Sequence, residues 1–218
     1  MTDPSRPGDL RLAVCLTALA GAVDAIGFLK LGGLFVSFMS GNSTEAAAAL
    51  ILHDDARLKI ALVLVALFVG GAFAGGIVAW AAGDRRRPVL LALVAALLGA
   101  AMLGGREAWV GFAVGVAAFA MGLQNAVLQR AGEVIVGPTY VTGTLVRLGD
   151  GLARAVTGRG GVDDWAPYLL LWLGLVAGGA AGALLYARLG FIAVGAPALF
   201  AALLAWSEHR RPSRGEPS

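Results

Sequence analysis

Six apolar runs, each free of charge, order the chain: Leu12 to Leu29, Ile60 to Ala82, Pro88 to Leu103, Trp109 to Leu128, Pro167 to Ala187 and Phe191 to Trp206. At about 1.5 Å of rise per residue, each predicts a membrane-crossing helix. The third and sixth only just reach across, so they are expected to stand near the membrane normal or to thin the bilayer locally. The charged residues are bunched between these runs, at 1–11, 53–59, 84–87, 106–107, 129–164 and 208–216.

Two segments decide the topology. Leu31 to Leu52 is apolar enough for a seventh span, whereas Val134 to Val156 carries Arg147, Asp150 and Arg154. Both open irregularly, on Leu31-Gly32-Gly33 and Gly137-Pro138, and then run into Ser or Thr beside Gly and a short helical pattern. If both are re-entrant, Lys and Arg divide 12 to 5 across the membrane. The N-terminus, Arg85-Arg86-Arg87, the Arg130 to Arg159 region and the C-terminal arginines then lie together inside, as the positive-inside rule asks. If both span, the split is 11 to 6 with the triple arginine outside, and Arg147 and Asp150 cross hydrocarbon at about 2.5–3.5 kcal/mol each. Re-entrant elements are expected, with both termini cytoplasmic.

Composition changes the picture little. The 218 residues are 58% hydrophobic and 14% charged, with a mean hydropathy of +0.79; a soluble domain of this size could not cover its surface with so few charges. The pI near 9.5 and net charge of +3 do not indicate nucleic acid, because Lys and Arg sit at the ends of apolar runs and not along one polar face. Arg6 and Arg11 before Leu12 to Ala25 imitate a signal peptide, and Leu12-Ala13-Val14-Cys15 a lipobox. The segment is read as a retained span, since removing it would discard half of a repeat. Cys15 is the single cysteine, so intrachain disulfides and a CxxC or zinc site are excluded.

That repeat sets Gly21-Ala22-Val23-Asp24-Ala25 over Gly122-Leu123-Gln124-Asn125-Ala126, and Phe38 to Ser43 over Tyr140 to Thr144 with one residue of slack. Gly70-Gly71-Ala72 is set over Gly178-Gly179-Ala180, at a period of roughly 100 residues. Each half holds three spans, an odd number, so the second half enters from the opposite face. The predicted fold is an all-α integral membrane protein of six transmembrane helices in a 3+3 inverted-topology repeat, each half with a broken or re-entrant element. The chain is one membrane domain over 1–218, with repeat 1 at about 12–105 and repeat 2 at about 109–206. Polar cytoplasmic tails are expected at 1–10 and 208–218.

Asp24 lies about two thirds along the first span on a face shared with Thr17, Gly21 and Phe28. Two roles fit this intramembrane carboxyl: a proton, cation or ligand contact, or a cap on unwound backbone or a neighbouring helix. The fourth span repeats the face with Asn125 and Gln129, so an acid and its amide counterpart are expected to face each other across the pseudo-twofold axis, as pathway groups or interhelical glue. Ser40, Gly41, Asn42, Ser43 and Thr44 before Glu45 predict an N-cap at the start of a half-helix, with Thr142, Gly143 and Thr144 as its match; partly positive helix starts either attract an anion or ion-bound water or are simply capped. Gly71 and Gly75, and Gly174, Gly178 and Gly182, repeat at four-residue spacing and predict close helix packing. Arg147, Asp150, Arg154 and Arg159 form the wet inner edge of the second re-entrant element, or a gate. His53 and His209 lie outside the spans without a second ligand, so no metal site, cofactor or enzymatic activity is expected.

The run Gly21-Ala22-Val23-Asp24-Ala25-Ile26-Gly27-Phe28, followed by Phe35-Val36-Ser37-Phe38-Met39-Ser40-Gly41-Asn42-Ser43-Thr44, resembles the opening signature of the YoaK-like bacterial membrane protein family, domain of unknown function 1275. The resemblance covers nearly the whole chain and implies a bacterial cytoplasmic-membrane protein of six spans. It carries over no catalytic residue; Asp24 and Gly41-Asn42 match the family's recurrent motif. The resulting expectation is a small secondary transporter or permease for a small solute or ion in the lipid bilayer. Its alternative is a membrane scaffold or sensor without transport. A chain this small often needs a second copy to seal a pathway, which makes a homodimer a candidate assembly.

Overall fold

In the computed structural model of the chain, which describes residues 7–105, 110–128 and 141–211, those residues form helices and the turns between them. The helices are α1 (Pro7–Leu31), α2 (Met39–Ile51), α3 (Asp55–Ala82), α4 (Arg86–Leu103), α5 (Val110–Gln124), α6 (Val141–Val156), α7 (Ala166–Leu189) and α8 (Gly195–His209). Four described stretches are long and apolar enough to cross a membrane: Asp9–Leu31, Asp55–Leu103, Val110–Leu128 and Ala166–His209. The second and fourth, of 49 and 44 residues, each contain two helices, so α1, α3, α4, α5, α7 and α8 coincide with the six predicted spans.

The ends differ from the sequence expectation in three places. Pro7 to Leu10 already belong to α1, so the predicted polar tail over 1–10 is in part helix. The fourth span tightens into 3-10 geometry over Asn125–Leu128. The sixth begins as a 3-10 stretch, Gly190–Val194, and becomes α-helical only at Gly195, then continues to His209 inside the predicted C-terminal tail. Glycine follows two of the helices with positive φ, Gly83 after α3 at 51° and Gly190 after α7 at 60°, a region costly for residues with a Cβ.

Helix direction follows from which residues meet. Along α1 and α7, Gly174 lies beside Val14 and Thr17, Gly178 beside Ala18 and Gly182 beside Ala22, so the two helices run parallel. Along α3 and α5, Gly71 meets Phe119 and Gly75 meets Leu123, again in parallel. A Cβ at Gly178 would fall on the Ala18 carbonyl, and one at Gly71 on the Phe119 carbonyl. Backbones this close gain van der Waals contact that larger side chains would forbid.

One end of the bundle is marked by Arg87 at the start of α4. It pairs with Asp9 of α1 at 2.8 Å and lies 3.7 Å from Glu208 of α8, which also binds Arg211 at 2.6 Å. The opposite end is marked by Arg57 near the start of α3, paired with Glu45 of α2 at 2.8 Å and donating to the Gly32 carbonyl after α1. There Phe191 packs on Gly105, and Met102 on Gly195.

The core is centred on α5, whose residues from Ala113 to Gln124 are almost all buried. Leu16, Leu19, Val23 and Ile26 of α1 and Leu90, Leu91, Val94 and Leu98 of α4 join it. Large apolar side chains also cover the outside: Phe73 is 71% and Trp80 87% exposed. A surface of that kind needs lipid as its solvent.

Candidate functional site

After α1 the chain does not leave the bundle. The turn at Gly32 and Gly33, both with positive φ, sends residues 34–38 back along α1, where Val36 and Ser37 meet Asp24, about two helical turns inside the end of that helix. α2 then starts at Met39 and runs outward to the Arg57 end. At 13 residues it extends only about 20 Å.

Asp24 closes this loop. Its Oδ1 accepts the N–H groups of Val36 at 2.7 Å and Ser37 at 2.6 Å, and its Oδ2 accepts the Ser37 hydroxyl at 2.6 Å. Asn42 does the same from α2: Oδ1 accepts the Phe35 N–H at 2.8 Å and Nδ2 donates to the Phe35 carbonyl at 2.7 Å. Backbone that leaves helical geometry inside an apolar bundle must find such partners. Of the two roles open to Asp24, capping unwound backbone is thus occupied. Gly41 sits under Phe35 and Phe38, where a Cβ would come within 2.7–2.9 Å of the ring atoms.

Beside this loop lies a cavity of about 620 Å³. Its walls come from α1 (Gly21, Asp24, Phe28), the loop (Phe35, Ser37, Phe38), the start of α6 (Val141, Thr142, Leu145) and α7 (Leu175, Gly179, Ala183). Among the described residues, Asp24 carries the only formal charge on the lining. Rings cluster along one side, Phe28 tilted against Phe35 at 5.1 Å and Phe35 edge to face with Phe38 at 5.2 Å between centroids. Phe28, Leu29, Leu145 and Val176 at its rim are partly exposed on the outside of the bundle.

From its start at the cavity, α6 runs toward the Asp9 end. Its Gly151 packs against Asp164 and Trp165, just ahead of α7, and Arg147 lies 5.9 Å from the Tyr168 ring centroid. Arg154 pairs with Asp150 at 3.0 Å on an exposed face.

The other predicted residues distribute unevenly. Thr142 lines the cavity; Thr144, two residues on, is buried and Gly143 half-buried between them. Ser40 and Thr44 do not reach the cavity lining. The predicted N-cap is displaced: Phe38 occupies that position without a side-chain cap bond, while Ser43 and Thr44 hydrogen-bond to Met39 and Ser40 carbonyls one turn back inside α2. Asn125 donates to the Met121 carbonyl of its own helix, at 2.9 Å. Its neighbour Gln124 donates from Nε2 to the Leu16 carbonyl of α1 at 3.0 Å, a contact the sequence reading did not foresee. Gln129 lies outside the described residues.

Ser37, Phe35, Phe38 and Gln124 were not among the predicted site residues, and Phe28 was placed only on the face of Asp24. Phe28, Phe35 and Phe38 had a signal, three aromatics within eleven residues around a turn. Gln124 had only its place beside Asn125.

Helices with lipid-facing apolar surfaces, packed through glycine around a cavity with a carboxylate on its wall, define a polytopic α-helical membrane protein. The chain belongs to the family described as Protein of unknown function (DUF1275), which it matches over residues 12–207. It is 38% identical over 205 residues to the UPF0700 transmembrane protein RA0705 of Rhizobium meliloti (strain 1021), covering 94% of this chain and 88% of the relative. No solved structure matches it.

Proposed function

We propose that this protein is a small secondary transporter or permease of the bacterial cytoplasmic membrane, built as a 3+3 inverted-topology repeat with one re-entrant half-helix in each half. One observation carries the reading: α2 and α6 both start beside the cavity at Asp24 and run out toward opposite ends of the bundle. Discontinuous helices meeting at mid-depth are how many transporters build a site that opens alternately to either side.

Helix contacts support the repeat. Adding 101 to α1 positions and 107 to α3 positions turns the α1–α7 contacts into the α3–α5 contacts. Ala18, Gly21 and Ala22 become Phe119, Gly122 and Leu123; Phe68, Gly71 and Gly75 become Leu175, Gly178 and Gly182. The same step takes Gly83 to Gly190, the two positive-φ residues that end α3 and α7. Gly71 therefore matches Gly178, one residue off the sequence alignment that set Gly70 there. Corresponding helices run in opposite directions, since α1 leaves the Asp9 end and α5 the other.

Orientation follows from charge. Arg11, the three arginines 85–87, Arg210 and Arg211 gather at the Asp9 end, against Lys30, Arg57, Lys59 and Arg188 at the other, which makes the Asp9 end and both termini cytoplasmic. No enzymatic step belongs to this reading. A second copy of the chain would help to seal the laterally open cavity from lipid.

The test is uptake into proteoliposomes of purified protein across a panel of inorganic ions, organic cations, organic anions and neutral metabolites. Protein-dependent flux of one class, lost in Leu145→Trp, which fills the cavity from α6, is the expected result. No flux of any class, with a protein partner that stays bound through purification, would replace the transporter by the scaffold.

A further inference from the structure

We propose that the cavity beside Asp24 takes a lipophilic organic cation, its charge toward the carboxylate and its apolar body against the Phe28, Phe35 and Phe38 rings. The inference rests on reading this cavity as the substrate site and names the class of substrate.

Charge comes first. The three donors to Asp24 are neutral, and no described Lys, Arg or His side chain pairs with it. A carboxylate in an apolar bundle needs a neutralising partner, a proton or a cation. The start of α2 offers only about half a positive unit, and three amides of its first turn already have acceptors, Met39 the Ser37 carbonyl and Gly41 and Asn42 the Phe38 carbonyl. The one formal charge on the described wall is negative, which disfavours an anion.

Shape and surface narrow the class. A bare inorganic cation would need several oxygen ligands, but the remaining described lining is almost wholly apolar, with Ser37 and Thr142 as its other polar side chains. A cluster of aromatic rings beside a carboxylate suits a cation whose charge is spread over or shielded by carbon. About 620 Å³ is the size of pocket that holds a drug-sized molecule. The partly exposed rim at Phe28, Leu29, Leu145 and Val176 gives such a molecule entry from the lipid.

The experiment measures equilibrium binding of phenyltrimethylammonium and tetraphenylphosphonium to the full chain in detergent, with tetraphenylborate as the anion of matched shape. Uptake of the same cations into proteoliposomes is measured in parallel. We expect saturable binding of at least one cation, about tenfold or more tighter than tetraphenylborate, weakened at least as much by Leu145→Trp and losing its charge preference in Asp24→Asn. Leu145→Trp touches none of the Asp24 hydrogen bonds, so it still tests the site if Asp24→Asn fails to fold. Equal binding of cation and borate, or cation binding indifferent to Leu145→Trp, would make the cavity a lipid-facing groove and overturn the proposal. Absence of cation binding would overturn it too, while flux of another solute class would leave the transporter reading standing. Binding without flux would uphold the site and remove the transporter.

Discussion

Ser37 holds both oxygens of Asp24, its N–H donating to Oδ1 and its hydroxyl to Oδ2, each at 2.6 Å. The Val36 N–H adds a third bond at 2.7 Å. These contacts join residues 12 and 13 positions apart, and through them the carboxylate substitutes for the helical hydrogen bonds that the loop gives up. One group therefore shapes the cavity and charges it.

The stability order follows from what each substitution leaves unpaired. Asp24→Ala strands two N–H groups and a hydroxyl, at about 1–3 kcal/mol for each buried donor left without an acceptor. Asp24→Asn keeps one acceptor oxygen but turns an NH₂ toward a donor, and Ser37→Ala removes a single O–H. Melting temperature in detergent is expected to fall in the order wild type, Ser37→Ala, Asp24→Asn, Asp24→Ala. An Asp24→Ala protein as stable as wild type would show that the loop is held by something else.

Much of this was legible in the sequence, and the failures share a cause. The spans could be read because charges end them, and the glycine stripes because helical spacing puts Gly71 with Gly75 and Gly178 with Gly182 on one face. Ser40 to Thr44 read as a cap because Ser, Thr and Asn favour that position locally. Asn42 is instead turned back by Phe35, seven residues earlier, a contact no local pattern encodes. Gln124 went unread for the same reason: its partner, the Leu16 carbonyl, lies 108 residues away.

The glycines divide into two groups with opposite expectations. A side chain at Gly71 or Gly178 meets a backbone carbonyl of the next helix, which cannot rotate away, so the helices must part. Gly71→Ala and Gly178→Ala should each cost about 1–3 kcal/mol. Gly76 and Gly99 have nothing within 4 Å of a built Cβ, and Ala there is expected to be neutral or to stabilise by up to about 1 kcal/mol. Thermal unfolding of the four variants checks the contrast, and similar losses at all four would mean that glycine acts here through the backbone and not through packing.

Topology has its own test. With Cys15 replaced by Ala, single cysteines at Arg86 and Arg211 should both be labelled by a membrane-impermeant maleimide only from the cytoplasmic face. Cysteines at Asp54 and Arg106 should be labelled only from outside. Arg87 already ties Asp9 and Glu208 to the same end of the bundle. Opposite labelling at Arg86 and Arg211 would contradict both the fold and the repeat.

Gln124 gives the least intuitive expectation. It is 1% exposed; Nε2 donates to the Leu16 carbonyl, while Oε1 is buried without a partner. Rotating the amide by 180° would set two oxygens against each other, so the orphan is intrinsic to the site. A buried acceptor left unmade costs about 1–3 kcal/mol, whereas replacing the group by an apolar one of similar shape is often neutral or favourable. Leu16 lies inside α1, where its carbonyl has the helical acceptor role to fall back on. Gln124→Met is therefore expected to melt at or above the wild-type temperature, and Gln124→Glu well below it, because a carboxylate would face that carbonyl without a donor. If Gln124→Met instead melts several degrees lower, Oε1 has a partner in the membrane, and a bound water or ligand group at the α1–α5 contact becomes the thing to find.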